Sequence, residues 1–327
     1  MTDLSTRYMG LELRNPLIAA ASSISSMIDS IKAAEQAGAG ALVIRSLFEE
    51  QILMEMQEME EKLDEGSESF AEALQYFPNL ELHEAREHLM WVEKTRAAVQ
   101  MPLIASLNAY SPGAWVRFAR QLEQTGVDGL ELNVYAVAAN PYRTSADIEA
   151  RLYEIVEQVK AEVTIPVAVK LSPYYSALAN VARELASRGA DALVLFNRFL
   201  QPDINTDDIS LKQEMTFSTP DEIRLPLRWI ALLYGQVETD LALSTGVHAG
   251  ADAAKAILAG AAGVQTASAL LKNGIPYLST MLLELSGWMN EHGFETIADF
   301  RGKASQQDVS DPFAFERAQY VRLLRSH

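Results

Sequence analysis

Residues 167–196 read VAVKLSPYYSALANVARELASRGADALVLF. The run Val167–Val169 is apolar without alternation, the pattern of a strand covered on both faces. Ser176–Ser187 has helical spacing, and Gly189 follows it as the left-handed residue that turns the chain back. Asp191 then precedes a second apolar run, Ala192–Phe196. Strand, helix, glycine and strand make one βα unit, and the order of its parts recurs along the chain.

Six further runs resemble these two: Leu17–Ala20, Ala41–Ile44, Leu103–Ala105, Gly129–Leu132, Leu241–Leu243 and Gly263–Gln265. Helical spacing fills Met27–Ala37, Ala114–Gln124, Ala146–Ala161, Arg224–Tyr234, Ala251–Leu258 and Ile275–His292. Glycines close several of these helices, at Gly38, Gly126 and Gly260, and Asp128 stands where Asp191 does. Eight such units predict a (β/α)8 (TIM) barrel. A doubly wound sheet would carry fewer strands and a Gly-rich first turn, and no GxGxxG or P-loop pattern is present. The predicted division is a single barrel over residues 1–304 and a C-terminal extension over 305–327. A small hairpin at about residues 6–13, centred on Gly10, is expected to close the barrel floor. Long insertions follow strand 2 (Arg45 to Pro102) and strand 6 (Asn197 to Tyr234). Both leave a strand's C-terminal end, where such barrels carry their sites. The first contains the acidic run Glu49–Leu63, read as a solvated helix face whose Met54, Met56 and Met59 cover apolar surface.

The 327 residues are 49% hydrophobic, enough for a large core, and carry 27 Lys+Arg against 44 Asp+Glu, a net charge of -17. That balance repels phosphate backbones and anionic lipid, so neither nucleic acid nor a membrane surface is an expected partner. The absence of cysteine removes disulfides, thiolate nucleophiles and iron–sulfur ligation from this chain. With no signal-like or transit-like start and no run of about 18 apolar residues, the expected location is the cytoplasm.

The candidate chemistry lies at the strand ends: Ala20-Ala21, Arg45-Ser46, Asn108, Asn133, Lys170, Asn197, Gly246 and Ser268. Polar strand ends are ordinary where they meet solvent, but three Asn and two cations in matching positions point to one pocket. Lys170 closes an apolar strand and needs an anion or acceptor. It reads as a Schiff-base nucleophile, a phosphate contact, or a fixed charge beside a cofactor that becomes anionic. Ser244–Gly250 and Thr266–Leu270 are small-residue turns into helices, after the two strands where these barrels place a phosphate. His248 either assists there or caps the next helix. His83 and His88 are five apart and do not share a helix face, so no metal site is expected.

Several of these residues resemble one known family. Asn15-Pro16-Leu17-Ile18, Val43-Ile44-Arg45-Ser46, Glu131-Leu132-Asn133, Val169-Lys170-Leu171-Ser172-Pro173, Ser244-Thr245-Gly246, Gly260-Ala261 with Gln265, and Ile297–Lys303 look like the dihydroorotate dehydrogenase family, soluble class 1 type. The resemblance spans about residues 4 to 304. It implies an FMN-dependent barrel that oxidises dihydroorotate to orotate in pyrimidine synthesis, with Ala20, Ala21, Ser46, Asn108, Asn133, Lys170, Gly246, Val247, Ala267 and Ser268 around FMN. Lys170 would stabilise the reduced flavin, Arg45 would take the place of a catalytic lysine, and Asn79, Asn133 and Asn197 would bind the substrate amides. The implied partners are a small-molecule substrate, a soluble electron acceptor and a second copy of the chain. Three positions depart from the family pattern: Ala136 stands at the base, Ala138 replaces an Asn, and Arg45 replaces a Lys. Alanine cannot take a proton, so the resemblance narrows to the dihydroorotate dehydrogenase-like variants. There Tyr135, Tyr142 or a water replaces the base, or another cyclic imide or enone replaces the substrate. An aldolase-like barrel using Lys170 is the reading from another enzyme class.

Overall fold

The computed structural model describes residues 2–52, 54, 80–109, 111–134, 137–199, 201–212, 214–316 and 324–325, with the backbone alone for 80–85 and 112. Asn79, Tyr135 and Ala136 lie outside the described residues.

Eight parallel strands close into a barrel among the described residues: β1 Leu17–Ala19, β2 Ala41–Phe48, β3 Leu103–Asn108, β4 Gly129–Leu132, β5 Val167–Leu171, β6 Ala192–Leu195, β7 Asp240–Ser244 and β8 Gly263–Thr266. Each pairs with its sequence neighbours, and β8 pairs with β1 through Val264–Leu17, Gln265–Ile18 and Thr266–Ala19. The apolar runs read as strands are these strands. β2 alone runs four residues beyond its expected end, and its register with β3 shifts between Ile44 and Leu47. Arg45 and Ser46 therefore sit in an irregularity rather than just past a strand end, and such bulges re-aim side chains.

Helices α1 Ile28–Gln36, α2 Leu80–Ala98, α3 Pro112–Gln124, α4 Ser145–Glu162, α5 Leu178–Ser187, α6 Arg224–Leu233, α7 Gly250–Ala259, the short α8 Ser268–Asn273 and α9 Tyr277–His292 lie in the connections. α5 shows why they form: Leu178, Val181, Ala182 and Leu185 are buried at helical spacing, and Gly189 turns back at φ 88°. The recurring aspartates have one structural role. Asp128 Oδ2 accepts from Leu103 N at 2.8 Å and from Arg96 of α2 at 2.5 Å. Asp191 Oδ2 accepts from Val167 N at 2.7 Å and from Lys160 of α4 at 2.7 Å. Each carboxylate thus ties the start of the previous strand to the helix that leads into that strand.

The barrel interior has an apolar floor. Ile18, Ala41, Val43, Ile104, Ala168, Ala192, Val194 and Ala242 pack with Tyr8, Met9 and Leu13 of the N-terminal hairpin, whose strands are Thr6–Tyr8 and Leu11–Leu13. Met9 and Gly10 both have positive φ (44° and 83°), as a two-residue hairpin turn requires. Met9 N donates to Asp240 Oδ2 at 2.8 Å, so the hairpin seals the N-terminal end of the barrel. Burial, and then the charges of Glu131 and Asp240, hold the Tyr8 phenol well above its ordinary range.

Both long connections leave the opposite face. After β2 the chain is helical at once, and Glu49 is buried, accepting from Ser111 N at 2.9 Å and Ser111 Oγ at 2.5 Å. This corrects the expectation of a solvated face at that end of the acidic run. The carboxylate caps the loop before α3 instead. Met56 and Met59 lie outside the described residues, and Met54 is exposed. After β6 an exposed hairpin, Asp203–Asn205 with Ser210–Lys212, precedes a turn of 3-10 helix at Pro220–Ile223. The chain past residue 304 keeps packing on α6: Gln306 N donates to Ala231 O at 2.9 Å and Arg228 Nε to Phe315 O at 2.5 Å.

Candidate active site

The C-terminal ends of β5 to β8 and β1 surround a cleft of about 200 Å³ lined by Ala20, Ala21, Lys170, Asn197, Arg198, Ser218, Ser244, Thr245, Gly246, Val247, Gln265, Thr266, Ala267 and Ser268. Ala20, Ala21, Lys170, Asn197, Gly246, Val247, Ala267 and Ser268 were expected at one pocket, and here they share one. Lys170, next to last in β5, faces the interior because alternate residues of the strand do so: Ala168 joins the apolar floor one layer below. Lys170 is 7% exposed. It lies 3.4 Å from Glu131 Oε1 and donates to Gln265 Oε1 at 3.0 Å, while Gln265 Nε2 donates to Glu131 Oε2 at 2.5 Å. These three side chains come from β5, β4 and β8. Glu131 and Gln265 carry no role in the sequence reading, although a carboxylate inside an apolar run was the available signal, since a buried charge demands a partner.

The glycine turn is partly closed by the protein itself. Asp252 Oδ2 accepts from His248 N at 3.0 Å and Ala249 N at 3.1 Å, and Glu284 accepts from Gly250 N at 2.6 Å. The start of α7 is therefore capped by carboxylates and does not offer these amides to an anion. Gly246 and Val247, ahead of it, donate to no protein acceptor among the described residues. His248 Nε2 is 3.1 Å from Ser218 Oγ, and Ser218 N donates to Ser268 Oγ at 3.0 Å, so this histidine ties the long β6 connection to the turn. Gly246 has a second function. A Cβ there would lie 2.2 Å from Ile223 N, so the residue seats the 3-10 turn against the cleft.

Arg198 is a cleft residue that the sequence reading missed. Its guanidinium donates to Glu222 Oε1 at 2.9 Å, to Thr216 Oγ1 at 3.1 Å and to the Thr216 carbonyl, which pins the 216–222 segment over the cleft. The pairing with Glu222 is long-range and leaves no sequence signal.

Asn133, Ser46 and Asn108 do not line this cleft. Asn133 Nδ2 donates to Ser46 Oγ at 3.0 Å and to Ser106 Oγ at 2.7 Å, and the two hydroxyls are 2.7 Å apart. This buried cluster joins β2 and β3 to the end of β4, and Asn133 Oδ1 has no partner among the described residues. Asn108 is buried at the end of β3. Arg45 opens onto a neighbouring cavity of about 300 Å³ with Ser46, Gln51, Glu87, His88 and Trp91, away from Lys170. Burial, and then the Arg45 charge, push the His88 imidazole down to about 4. A third cavity, about 620 Å³, lies over Ser172 and Tyr175, with Val137, Ala138 and Phe199 on its walls. Tyr142 is 91% exposed and lines none of the three. Among the described residues no group of acidic or histidine side chains could hold a metal, and no helix is long and apolar enough to cross a membrane.

The fold is a (β/α)8 barrel with an ion-paired lysine beside a small-residue turn at the C-terminal ends of its strands. Known sequences place it further. The family described as dihydroorotate dehydrogenase matches residues 3–289. The chain is 28% identical to the chloroplastic dihydropyrimidine dehydrogenase (NADP(+)) of Arabidopsis thaliana, covering 93% of this chain and 77% of that protein. It is also 28% identical to the catalytic subunit of dihydroorotate dehydrogenase B (NAD(+)) of Methanothermobacter thermautotrophicus, over 92% and 98%, and 30% identical to that of Methanocella arvoryzae, over 81% and 86%. The chain belongs to the dihydroorotate dehydrogenase family and is an oxidoreductase acting on CH–CH groups.

Proposed function

We propose that the chain is an FMN-dependent dehydrogenase that oxidises dihydroorotate to orotate in the cytoplasm, passing electrons to a soluble acceptor, and that it works as a homodimer. The observation that carries this reading is Lys170, a buried lysine at a cleft that Gly246 and Val247 also line. The donor set fits FMN: unpaired amides and small side chains suit a phosphate, and a cation suits a ring that gains negative charge on reduction. Ala20, Ala21, Gly246, Val247, Ala267 and Ser268 would hold it, and Ser46, Asn108 and Asn133 stand outside this cleft. When bound, the flavin supplies the two-electron acceptor for the CH–CH bond.

The chain's own residues do the rest. Asn197 presents an amide at the cleft, and Asn133 keeps a buried Oδ1 behind it with no partner among the described residues; with Asn79 these amides suit a cyclic imide, whose donors and acceptors alternate. Lys170 supplies a directed N–H and positive charge where negative charge develops. Ala136 supplies no base, so the proton leaves to Tyr135 or a water. A second reading, another cyclic imide or dihydropyrimidine as substrate, is favoured by Ala136 and Ala138, where the usual side chains are missing. The aldolase reading fits less well, since an ammonium bound to a carboxylate is not a nucleophile; borohydride would trap a Lys170 adduct if it held.

The test is anaerobic flavin reduction by dihydroorotate and, separately, by NAD(P)H. The reading expects yellow protein and slow reduction by dihydroorotate, raised by Ala136→Cys. A placed base contributes about a hundred- to ten-thousandfold. Rapid reduction by the unmodified chain with no gain from Ala136→Cys would assign the base elsewhere. No reduction by dihydroorotate in either form would remove it as substrate.

A further inference from the structure

A lysine ammonium has three N–H donors. In this barrel two of the three directions are already taken, by Glu131 Oε1 at 3.4 Å and Gln265 Oε1 at 3.0 Å. The Gln265 amide is itself fixed, since its Nε2 donates to the second Glu131 oxygen at 2.5 Å. The three side chains form a closed triangle across β4, β5 and β8, with Glu131 and Gln265 each 1% exposed. Below them lies the apolar floor with the buried Tyr8, which offers no cation to balance Glu131. Above them is the cleft. The triangle therefore does two things. It aims the remaining Lys170 N–H at the cleft, and it offsets the ammonium charge with one carboxylate.

We propose that Glu131 is a positioning residue that sets the charge felt by the cleft's occupant, with Gln265 as the strut that orients both ends of the ion pair. The consequence is specific. A free ammonium at this place would hold an anionic occupant tightly and release it slowly. The Lys170–Glu131 pair presents a bond direction with little net charge, so the cleft discriminates only weakly between oxidised and reduced forms of what it holds. The inference rests on the flavin reading above for the identity of that occupant.

The experiment compares the affinity of the protein for oxidised and for chemically reduced FMN, equivalent to the midpoint potential of the bound flavin, and needs no substrate. Glu131→Gln keeps the shape and removes the charge. One unit charge within about 10 Å, at an effective dielectric near 20, changes the ratio of the two affinities by about tenfold or more. The ratio should shift toward the reduced form in Glu131→Gln. Glu131→Asp retains the charge one methylene away and should stay within about twofold of the unmodified protein, even if it is less stable. Gln265→Met removes the strut but no charge. It should leave the ratio near its original value while slowing flavin reduction. A Glu131→Gln protein with an unmoved ratio, or a Glu131→Asp protein that shifts as far, overturns the proposal. If Glu131→Gln does not fold, the Glu131→Asp and Gln265→Met ratios still decide it, since a large shift in either is incompatible with a charge effect. An unmodified chain that takes up no FMN overturns the flavin reading, and this inference with it; uptake with an unmoved ratio overturns this inference alone.

Discussion

Replacing Gly246 with alanine separates two costs that share one position. The residue has φ 78°, where an L side chain is strained, and a Cβ there would lie 2.2 Å from Ile223 N and 2.7 Å from Ile223 Cα. Both neighbours are backbone and cannot rotate away. Gly293 has nearly the same φ, 73°, but nothing lies within 4 Å of its Cβ position. Gly293→Ala therefore loses only the left-handed preference, about 1–2 kcal/mol. Gly246→Ala loses that plus the displacement of the Pro220–Ile223 turn, at the 1–3 kcal/mol typical of overpacking, for about 2–5 kcal/mol in all. Against a total of about 5–15 kcal/mol the protein remains folded, but weakened.

Urea unfolding reads both variants. With a slope of about 3 kcal/mol/M, the Gly246→Ala midpoint should fall by about 1 M and that of Gly293→Ala by about 0.5 M. FMN affinity should fall in the first and not in the second, because the displaced turn carries Glu222, which fixes Arg198 over the cleft. Equal midpoints for the two variants would refute the claim that Gly246 is required by the approach of Ile223. Gly246→Asp would likewise perturb the fold through this backbone contact before any charge effect on a bound phosphate is read.

Two more outcomes follow from buried charge. Lys170→Met leaves Glu131 buried with Gln265 as its partner and should cost about 3–5 kcal/mol, most of which Lys170→Met/Glu131→Gln recovers; a double variant no more stable than the single one would show that the pair is not coupled. His88 is held near 4 in the folded protein by burial and then by Arg45, against an ordinary 6.5. The unfolded chain thus binds this proton more readily. The stability His88 contributes is fully present above pH 6.5 and is lost as pH falls toward 4, by on the order of 2–3 kcal/mol. Unfolding free energies from urea titrations at pH 7 and pH 4.5 should converge by about that amount in His88→Gln, and an unchanged pH dependence in that variant would assign the acid sensitivity to other groups.

The strands were legible because parallel barrel strands are buried on both faces, and burial on both faces leaves short unbroken apolar runs. Leu103–Ala105 and Val167–Val169 need no partner to be recognised. The ends of those runs were legible as a class, since Lys170 interrupts apolar character in a way that demands a partner. Which partner was harder. Glu131 lies on the neighbouring strand, and its run reads as apolar only if the glutamate is passed over; taken seriously, one unexplained cation and one unexplained anion on adjacent barrel strands already suggest a pair. Gln265 is uncharged and issues no such demand, so its part becomes visible only when the barrel closes and brings β8 across from β4. The glycine turn divides the same way. Asp252, three residues past Ala249, is a cap that local spacing could have revealed, and it removes two amides from the supposed anion site. Glu284 removes a third from a helix 34 residues away, and Ile223 reaches Gly246 from an insertion of irregular length. Local spacing reports what a segment can do alone, so it overestimates the open part of a site whenever distant side chains have already satisfied it. Among the described residues the amides of Gly246 and Val247 donate to no carboxylate or other protein acceptor, and that is the physical reason they remain the best candidates for an anionic ligand.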